Sequence, residues 1–180
     1  MNYLKKENMK KRLIVDIDGV LADIYGQFRK FELEDFGSNQ DLSEITGKLE
    51  EEAFVNGEVY MATKGFFRNA TVIEGSVEAL EKLNKTYDLF IVSAATKFPD
   101  SMAEKQEWLL EHFPFITWQQ IVFCGTKEII NGDIMIDDHF KNLDKFYGQT
   151  LLFSQPHNLN RTENGHNRVE NWKEISQLLL

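Results

Sequence analysis

The sequence predicts an α/β fold: a parallel sheet covered by helices on both faces, with a small helical segment inserted after the first strand. Three observations predict it. Five apolar runs of strand length recur along the chain, helical stretches alternate with them, and one long stretch contains no convincing strand. Strands that alternate with helices build βαβ units, because parallel neighbours need a crossover and a helix is its usual form.

The elements follow in order. Leu13–Ile17 is the first strand, and Val20 to Phe36 continues with helical spacing. From Tyr25 to Thr71 the chain reads as helices punctuated by Gly37, Gly47, Gly57 and Gly65. That is more chain than a simple crossover uses. Residues 25–71 are therefore expected to form a helical cap rooted at the C-terminal end of strand one, with 1–24 and 72–180 as the core. Phe28, Phe31 and Phe36 are expected to pack the cap onto the sheet domain. Ser76–Asn84 places Val77, Leu80 and Leu83 on one helical face, ahead of the strand Tyr87–Val92. Ser101–His112 opens with Ser101-x-x-Glu104, a capping-box pattern. Gln120–Phe123, Ile134–Ile136 and Thr150–Phe153 are the remaining strands, with a helix around His139–Phe146. Glu170–Leu180 closes the chain as a helix presenting Trp172, Ile175 and Leu179; Trp108 and Trp172 read as core.

Composition narrows the function. The 180 residues carry 14 Phe, 3 Trp and 5 Tyr, enough bulk to build a core, so the chain is not disordered. No apolar run approaches the ~20 residues of a membrane-spanning helix. The basic start, MNYLKKENMKKR, precedes an apolar run that is too short for a secretory leader and is broken by Asp16. The single cysteine, Cys124, excludes an intramolecular disulfide and reads as buried and inert; a cytoplasmic location is expected. The net charge of -9 argues against a nucleic-acid polymer as partner. A small phosphorylated ligand is still compatible, because one metal ion and one lysine reverse the field locally.

Asp16 and Asp18 lie two residues apart where the first strand gives way to Gly19. An Asp-Gly pair also reads as a hairpin turn, but helical rather than alternating spacing follows it. An EF-hand loop would need a glutamate where Gln27 stands. Simple strand termination is a third reading. Asp137 and Asp138 follow Ile134–Ile136, and two buried neighbouring carboxylates call for a cation, most simply Mg²⁺. One of the two could instead cap the next helix. Ser93 ends the second strand, and Lys127 follows the third after a short turn. Each alone is unremarkable, yet all four positions fall at C-terminal strand ends, where open α/β sheets bind ligands. His139, His157 and His166 show no metal-ligand spacing.

These four motifs, DIDGV at 16–20, Ser93, Lys127 and IDD at 136–138, resemble those of the haloacid dehalogenase (HAD) superfamily of phosphotransferases. A closer likeness is to the 5'(3')-deoxyribonucleotidases. It rests on DIDGVLAD at the first motif, Gly65-Phe66-Phe67, and Phe90 to Ala94. It continues through Glu104, Lys105 and Trp108, then Gly132 to Asp138, His157-Asn158, and Asn171-Trp172 with Ile175. The likeness runs from about Leu13 to Ile175 and is weakest in the cap.

The resemblance implies a three-layer, Rossmann-like core and Mg²⁺-dependent hydrolysis of nucleoside monophosphates. Asp16 would be the nucleophile, forming an aspartyl-phosphate, and Asp18 the general acid and base. Ser93 and Lys127 would bind the phosphate. The metal would take the Asp16 carboxylate, the Asp18 main-chain carbonyl and Asp138, with Asp137 supporting them; the choice between Asp137 and Asp138 rests on the likeness. Ile24, Tyr60 and Phe66, with Phe67, are the expected nucleoside pocket, since aromatic faces suit a flat base. Family members form dimers, so a homodimer is anticipated. The chain departs from the family pattern at Ala94 (Ser in members), Gly125-Thr126 (Arg-Asp) and Ile24 (Phe), leaving base preference and 5' or 3' choice open. The alternative is a phosphatase for another small ester such as a phosphosugar. A receiver domain would place its acidic pair first and lack a cap, and a non-catalytic binding protein would not need all four motifs.

Overall fold

The computed structural model describes residues 10–180. Residues 1–9, most of the basic start and the beginning of the expected core segment, lie outside the described residues. The first half comprises β1 (Arg12–Val15), β2 (Ala22–Asp23), α1 (Ile24–Phe36), α2 (Leu42–Ile45), α3 (Glu50–Ala53), α4 (Gly57–Ala62) and β3 (Thr71–Val72). After it come α5 (Ser76–Thr86), β4 (Asp88–Ser93), α6 (Pro99–His112), β5 (Ile121–Phe123) and β6 (Ile134–Asp137). The chain finishes with α7 (Phe140–Leu143), β7 (Gln149–Phe153), β8 (Asn167–Val169) and α8 (Trp172–Leu179).

Six strands form one parallel sheet in the order β5-β4-β1-β6-β7-β8. β1 is central, with Val15 opposite Ile91 on one side and Ile136 on the other. Its residues alternate between two cores: Leu13 and Val15 join one, and Ile14 joins Val92, Met135 and Leu152 in the other. Burial on both faces explains why the run is apolar throughout. The chain moves outward from β1 through β4 to β5, then returns past β1 to β6. Strand order therefore reverses beside β1, and the crevice at its carboxyl end is where such sheets hold ligands.

The structure departs from the expected elements in several places. β8 is a sixth strand, unseen in the sequence because Asn167-Arg168-Val169 is short, polar and at the sheet edge. β2 and β3 pair antiparallel, drawing the two ends of the intervening helical segment together. The helix α1 starts at Ile24 rather than Val20, because the N–H groups of Val20, Leu21 and Ala22 all turn back to the Ile17 carbonyl. Asp23 then caps it, accepting from the Gly26 N–H at 2.8 Å. Phe28 is fully buried and Phe31 packs beside it, but Phe36 is 59% exposed. Five residues beyond Phe31, it falls off their stripe and packs nothing onto the sheet.

The Ser101/Glu104 pair is not a capping box. α6 already begins at Pro99, and the Ser101 hydroxyl donates to the Ala95 carbonyl. The Glu104 carboxylate instead accepts the N–H groups of Gly65 (2.6 Å) and Arg68 (3.1 Å), which lead into β3. Trp108 and Trp172 are buried core residues with a second task. The Trp108 indole donates to the Ala70 carbonyl and that of Trp172 to the Val20 carbonyl, each at 2.8 Å. By area, burying one indole contributes at most about 4–6 kcal/mol, so both helices are firm anchors for the loops they grip. No described helix is long and apolar enough to cross a membrane.

Candidate active site

The loop after β1 carries the first two carboxylates. Asp16 continues the ladder, its N–H donating to the Ile136 carbonyl at 3.0 Å, and Asp18 bridges to Ala22 across the turn. Gly19 between them and the helix has φ +73°, and a Cβ there would stand 2.1 Å from Asp138 Oδ2. Only glycine permits that approach of loop to carboxylate. The Gln155 amide clamps the same loop by donating to the Gly19 carbonyl at 2.5 Å.

Each of the two carboxylates has a buried lysine. Lys127, from the short 3-10 turn after β5, lies 2.7 Å from Asp16 Oδ1 and 2.6 Å from Asp137 Oδ2. Lys105, from α6, lies 2.5 Å from Asp18 Oδ2 and 3.1 Å from the Ser93 hydroxyl. Burial raises the Asp16 carboxyl to about 6 although Lys127 pulls the other way, and Asp137 and Asp18 add to the rise. Burial works against the Lys127 charge, but Asp137 and Asp16 outweigh it and hold the ammonium above the ordinary lysine range. Asp137 too resists burial through Lys127, which keeps it ionised below the usual carboxylate range. Cys124, also buried, has its thiol pushed up by that burial.

The acidic pair at the end of β6 divides its work. Both Asp137 oxygens are engaged: Oδ1 accepts the His139 N–H and the Asn142 amide, and Oδ2 accepts Lys127. Asp138 Oδ1 is buried with no hydrogen-bond partner among the described residues. Burial holds the Asp138 carboxyl well above its usual range, reinforced by Asp137, Asp16 and Glu50 and opposed by His139. The histidines do more than their spacing suggested. The His157 Nε2–H donates to the Asp138 carbonyl at 2.8 Å, leaving Nδ1 facing the Tyr25 hydroxyl at 3.0 Å. Burial and the charge of His139 lower His157 to about 4, so it is a neutral ring at pH 7. His139 stacks on it, ring centres 4.2 Å apart, and lies 3.5 Å from Glu50. Burial opposes the His139 charge, but Asp138 and Glu50 raise it to about 9. Burial works against the Glu50 charge as well, yet His139 lowers that carboxyl to about 2.

A cavity of about 240 Å³ opens over these groups. Asp18, Gly19, Lys105, Asp138 and His139 line its floor, with Ile24, Tyr25, Met61 and Phe67 around it. Of the expected pocket residues, Ile24 and Phe67 line this cavity. Tyr60 and Phe66 do not, because both are buried among the aromatic rings of the helical segment; the Tyr60 hydroxyl donates to Asp35 at 2.8 Å. Ser93 and Lys127 are buried beneath the carboxylates. Glu50 and Gln155 gave no sequence signal as site residues, and His157, though part of the His157-Asn158 likeness, takes no role from it. Lys105 sits in the EKxxW stretch, but nothing in its spacing directs it to Asp18.

The residues present fit a hard divalent cation. Asp16, Asp137 and Asp138 each offer an oxygen within 4.8 Å of the others. The unpartnered Asp138 Oδ1 and the raised carboxyls of Asp16 and Asp138 mark a place short of positive charge. All-oxygen donors suit magnesium. Glu50, Asp138, His139 and His157 also stand within ligand distance of one another, but His139 lies against Glu50, and both His157 ring nitrogens are engaged by the Asp138 main-chain carbonyl and the Tyr25 hydroxyl.

Comparison with known proteins places this geometry. The profile of the family described as "5' nucleotidase, deoxy (Pyrimidine), cytosolic type C protein" matches residues 10–180. The chain is 42% identical over 176 residues to the 5'(3')-deoxyribonucleotidase of Bacillus subtilis, covering 96% of this chain and 100% of the relative. The same figures hold for the 5'(3')-deoxyribonucleotidase of Bacillus phage SPbeta. Among solved structures, a haloacid dehalogenase-like hydrolase from Streptococcus pneumoniae superposes with TM-score 0.60 at 13% identity, over 97% of this chain and 100% of that one. A magnesium-bound HAD-hydrolase from Bacillus subtilis superposes with TM-score 0.59 at 13% identity, over 95% and 99%. These neighbours share the fold.

Proposed function

Since the chain belongs to the family of cytosolic type C 5'-nucleotidases, we propose that it hydrolyses nucleoside monophosphates, deoxyribonucleotides foremost, through an aspartyl-phosphate. It is a phosphoric monoester hydrolase with a HAD-like core. The observation that carries the finer reading is the pairing of Asp16 and Asp18 with separate buried lysines, while Asp18, Lys105 and Asp138 line one cavity.

Phosphate monoesters repel nucleophiles, so their charge must first be neutralised. Asp16, Asp138 and the Asp18 main-chain carbonyl would hold magnesium, which when bound draws charge from the phosphate oxygens. Lys127 and the Ser93 hydroxyl would add to that neutralisation. The Asp16 carboxylate attacks phosphorus as the bond to the sugar oxygen breaks, and Asp18 gives that oxygen its proton. Asp18, now ionised, takes a proton from water, which attacks the acyl-phosphate and releases inorganic phosphate and free Asp16. Asp137 holds Lys127 in place. Residues 25–71 serve as the cap, shielding the step from water, and Ile24 and Phe67 contribute to the nucleoside pocket; Phe66 and Tyr60 support it from behind.

The test is a panel of deoxynucleoside, ribonucleoside and sugar monophosphates with Mg²⁺, scored by phosphate release. Deoxynucleotides are expected to show the largest kcat/KM. Sugar-phosphate turnover equal to or above theirs overturns the nucleotide reading.

A further inference from the structure

Lys105 is a buried cation to which the chemistry above gives no task. α6 delivers its ammonium to three neighbours at once: Asp18 Oδ2 at 2.5 Å, the Ser93 hydroxyl at 3.1 Å, and the face of Phe67, 4.2 Å from the ring centre. An ammonium has three donors on a flexible stem, so a lysine held on three sides in a buried setting is fixed as few lysines are. Asp18 depends on that grip. It stands on the loop beyond the strand; among the described residues its only other hydrogen-bond contact through Oδ2 is a long one from Ser93 at 3.5 Å, and Oδ1 is buried without a partner.

A carboxyl that transfers a proton must sit within hydrogen-bond reach of the receiving atom. We propose that Lys105 is a positioning residue for proton transfer: it grips Oδ2 of Asp18 and so fixes the carboxyl group at the cavity, where the sugar oxygen leaves. The proton passes from Asp18 to that oxygen as the P–O bond breaks, and Lys105 keeps its own. Because the ammonium also lies against Phe67, next to the Gly65–Arg68 turn that Glu104 holds, the same residue joins the acid to the cavity wall. This inference rests on the reading of Asp18 as the proton donor.

The experiment compares two substrates in Lys105→Met: a deoxynucleoside monophosphate, whose sugar oxygen needs a proton to leave, and p-nitrophenyl phosphate, whose leaving group does not. The readout is kcat/KM, which reports only the steps through departure of the leaving group and not hydrolysis of the acyl-phosphate. On the nucleotide it should fall about a hundredfold, and the fall on the aryl ester should be at least tenfold smaller. In an Asp18→Asn background, Lys105→Met should cause little further loss on the nucleotide. Equal losses on both substrates would make Lys105 a phosphate ligand or a structural residue and overturn the proposal; so would an unchanged nucleotide value. Lys105→Gln, with a donor but no charge, replaces the methionine variant if that variant loses its cooperative melting transition. Wild-type protein that cleaves the aryl ester but no nucleotide overturns the substrate reading alone. The same ratio, measured on any alkyl monoester the enzyme does cleave, then decides the role of Lys105.

Discussion

Lys127 Nζ lies 2.7 Å from Asp16 Oδ1 with both side chains buried, and the same ammonium reaches Asp137 at 2.6 Å. A single cation thus neutralises the end of two neighbouring strands, β1 and β6. Lys127→Met leaves both carboxylates uncompensated in a buried setting, which costs about 3–5 kcal/mol when one partner of a buried pair is removed. The variant is expected to lose at least a hundredfold in turnover and to melt well below wild type. Chemical denaturation with phosphate-release assays checks both.

Asp16→Asn should separate chemistry from stability. With the proposed nucleophile gone, turnover should drop by roughly 10⁴-fold or more. The fold loses little, because burial and two neighbouring carboxylates already work against the Asp16 charge. The melting temperature is expected at or above the wild-type value in metal-free buffer. Near-normal turnover in this variant would refute the covalent route.

Metal and pH are linked through the same carboxylates. Asp16 titrates near 6 in the fold, above its ordinary 3.8, and Asp138 is raised as well. The metal-free fold therefore binds these protons more tightly than the unfolded chain does. The contribution of Asp16 is complete below its unfolded value and is lost as pH rises through about 6, and that of Asp138 is lost as pH rises through its own raised folded value. Magnesium needs the deprotonated forms, so it should raise the melting temperature more at roughly pH 8 than at roughly pH 5. Calorimetric scans with magnesium and with a chelator make the comparison, and a shift of equal size at both pH values would contradict the assignment of these ligands.

Glu104 ties α6 to the turn that precedes β3. Glu104→Ala removes two acceptor bonds from the N–H groups of Gly65 and Arg68. Hydrogen bonds to a charged group contribute about 1.5–3 kcal/mol each, so a loss of about 3–6 kcal/mol is expected for the two. Proteolysis should find new cleavage sites around residues 65–68, and unfolding curves should give the stability change.

The core of the site was legible because it is built from residue types that stand out against their surroundings. Asp16, Asp18, Ser93 and Asp138 interrupt apolar runs at strand ends, and parallel strands bring such ends together whatever their separation in sequence. Lys127 could be added because it too follows a strand. Lys105 could not: a lysine inside a helix is ordinarily solvated, and only the packing of α6 turns this one inward. Glu104 shows the converse error, a local pattern whose partners were 39 and 36 residues away. The aromatic residues of the helical segment were recognisable as a cluster. Which of them faced a cavity and which faced each other depended on short helices, α2 to α4, of four to six residues, whose orientation periodicity cannot fix.

The hydrogen bond from the Trp172 indole to the Val20 carbonyl joins positions 152 residues apart. A growing polypeptide would therefore lack the brace for the turn after β1 until residue 172 had left the ribosome. Messages cut short anywhere before that tryptophan should yield protein whose turn is unbraced.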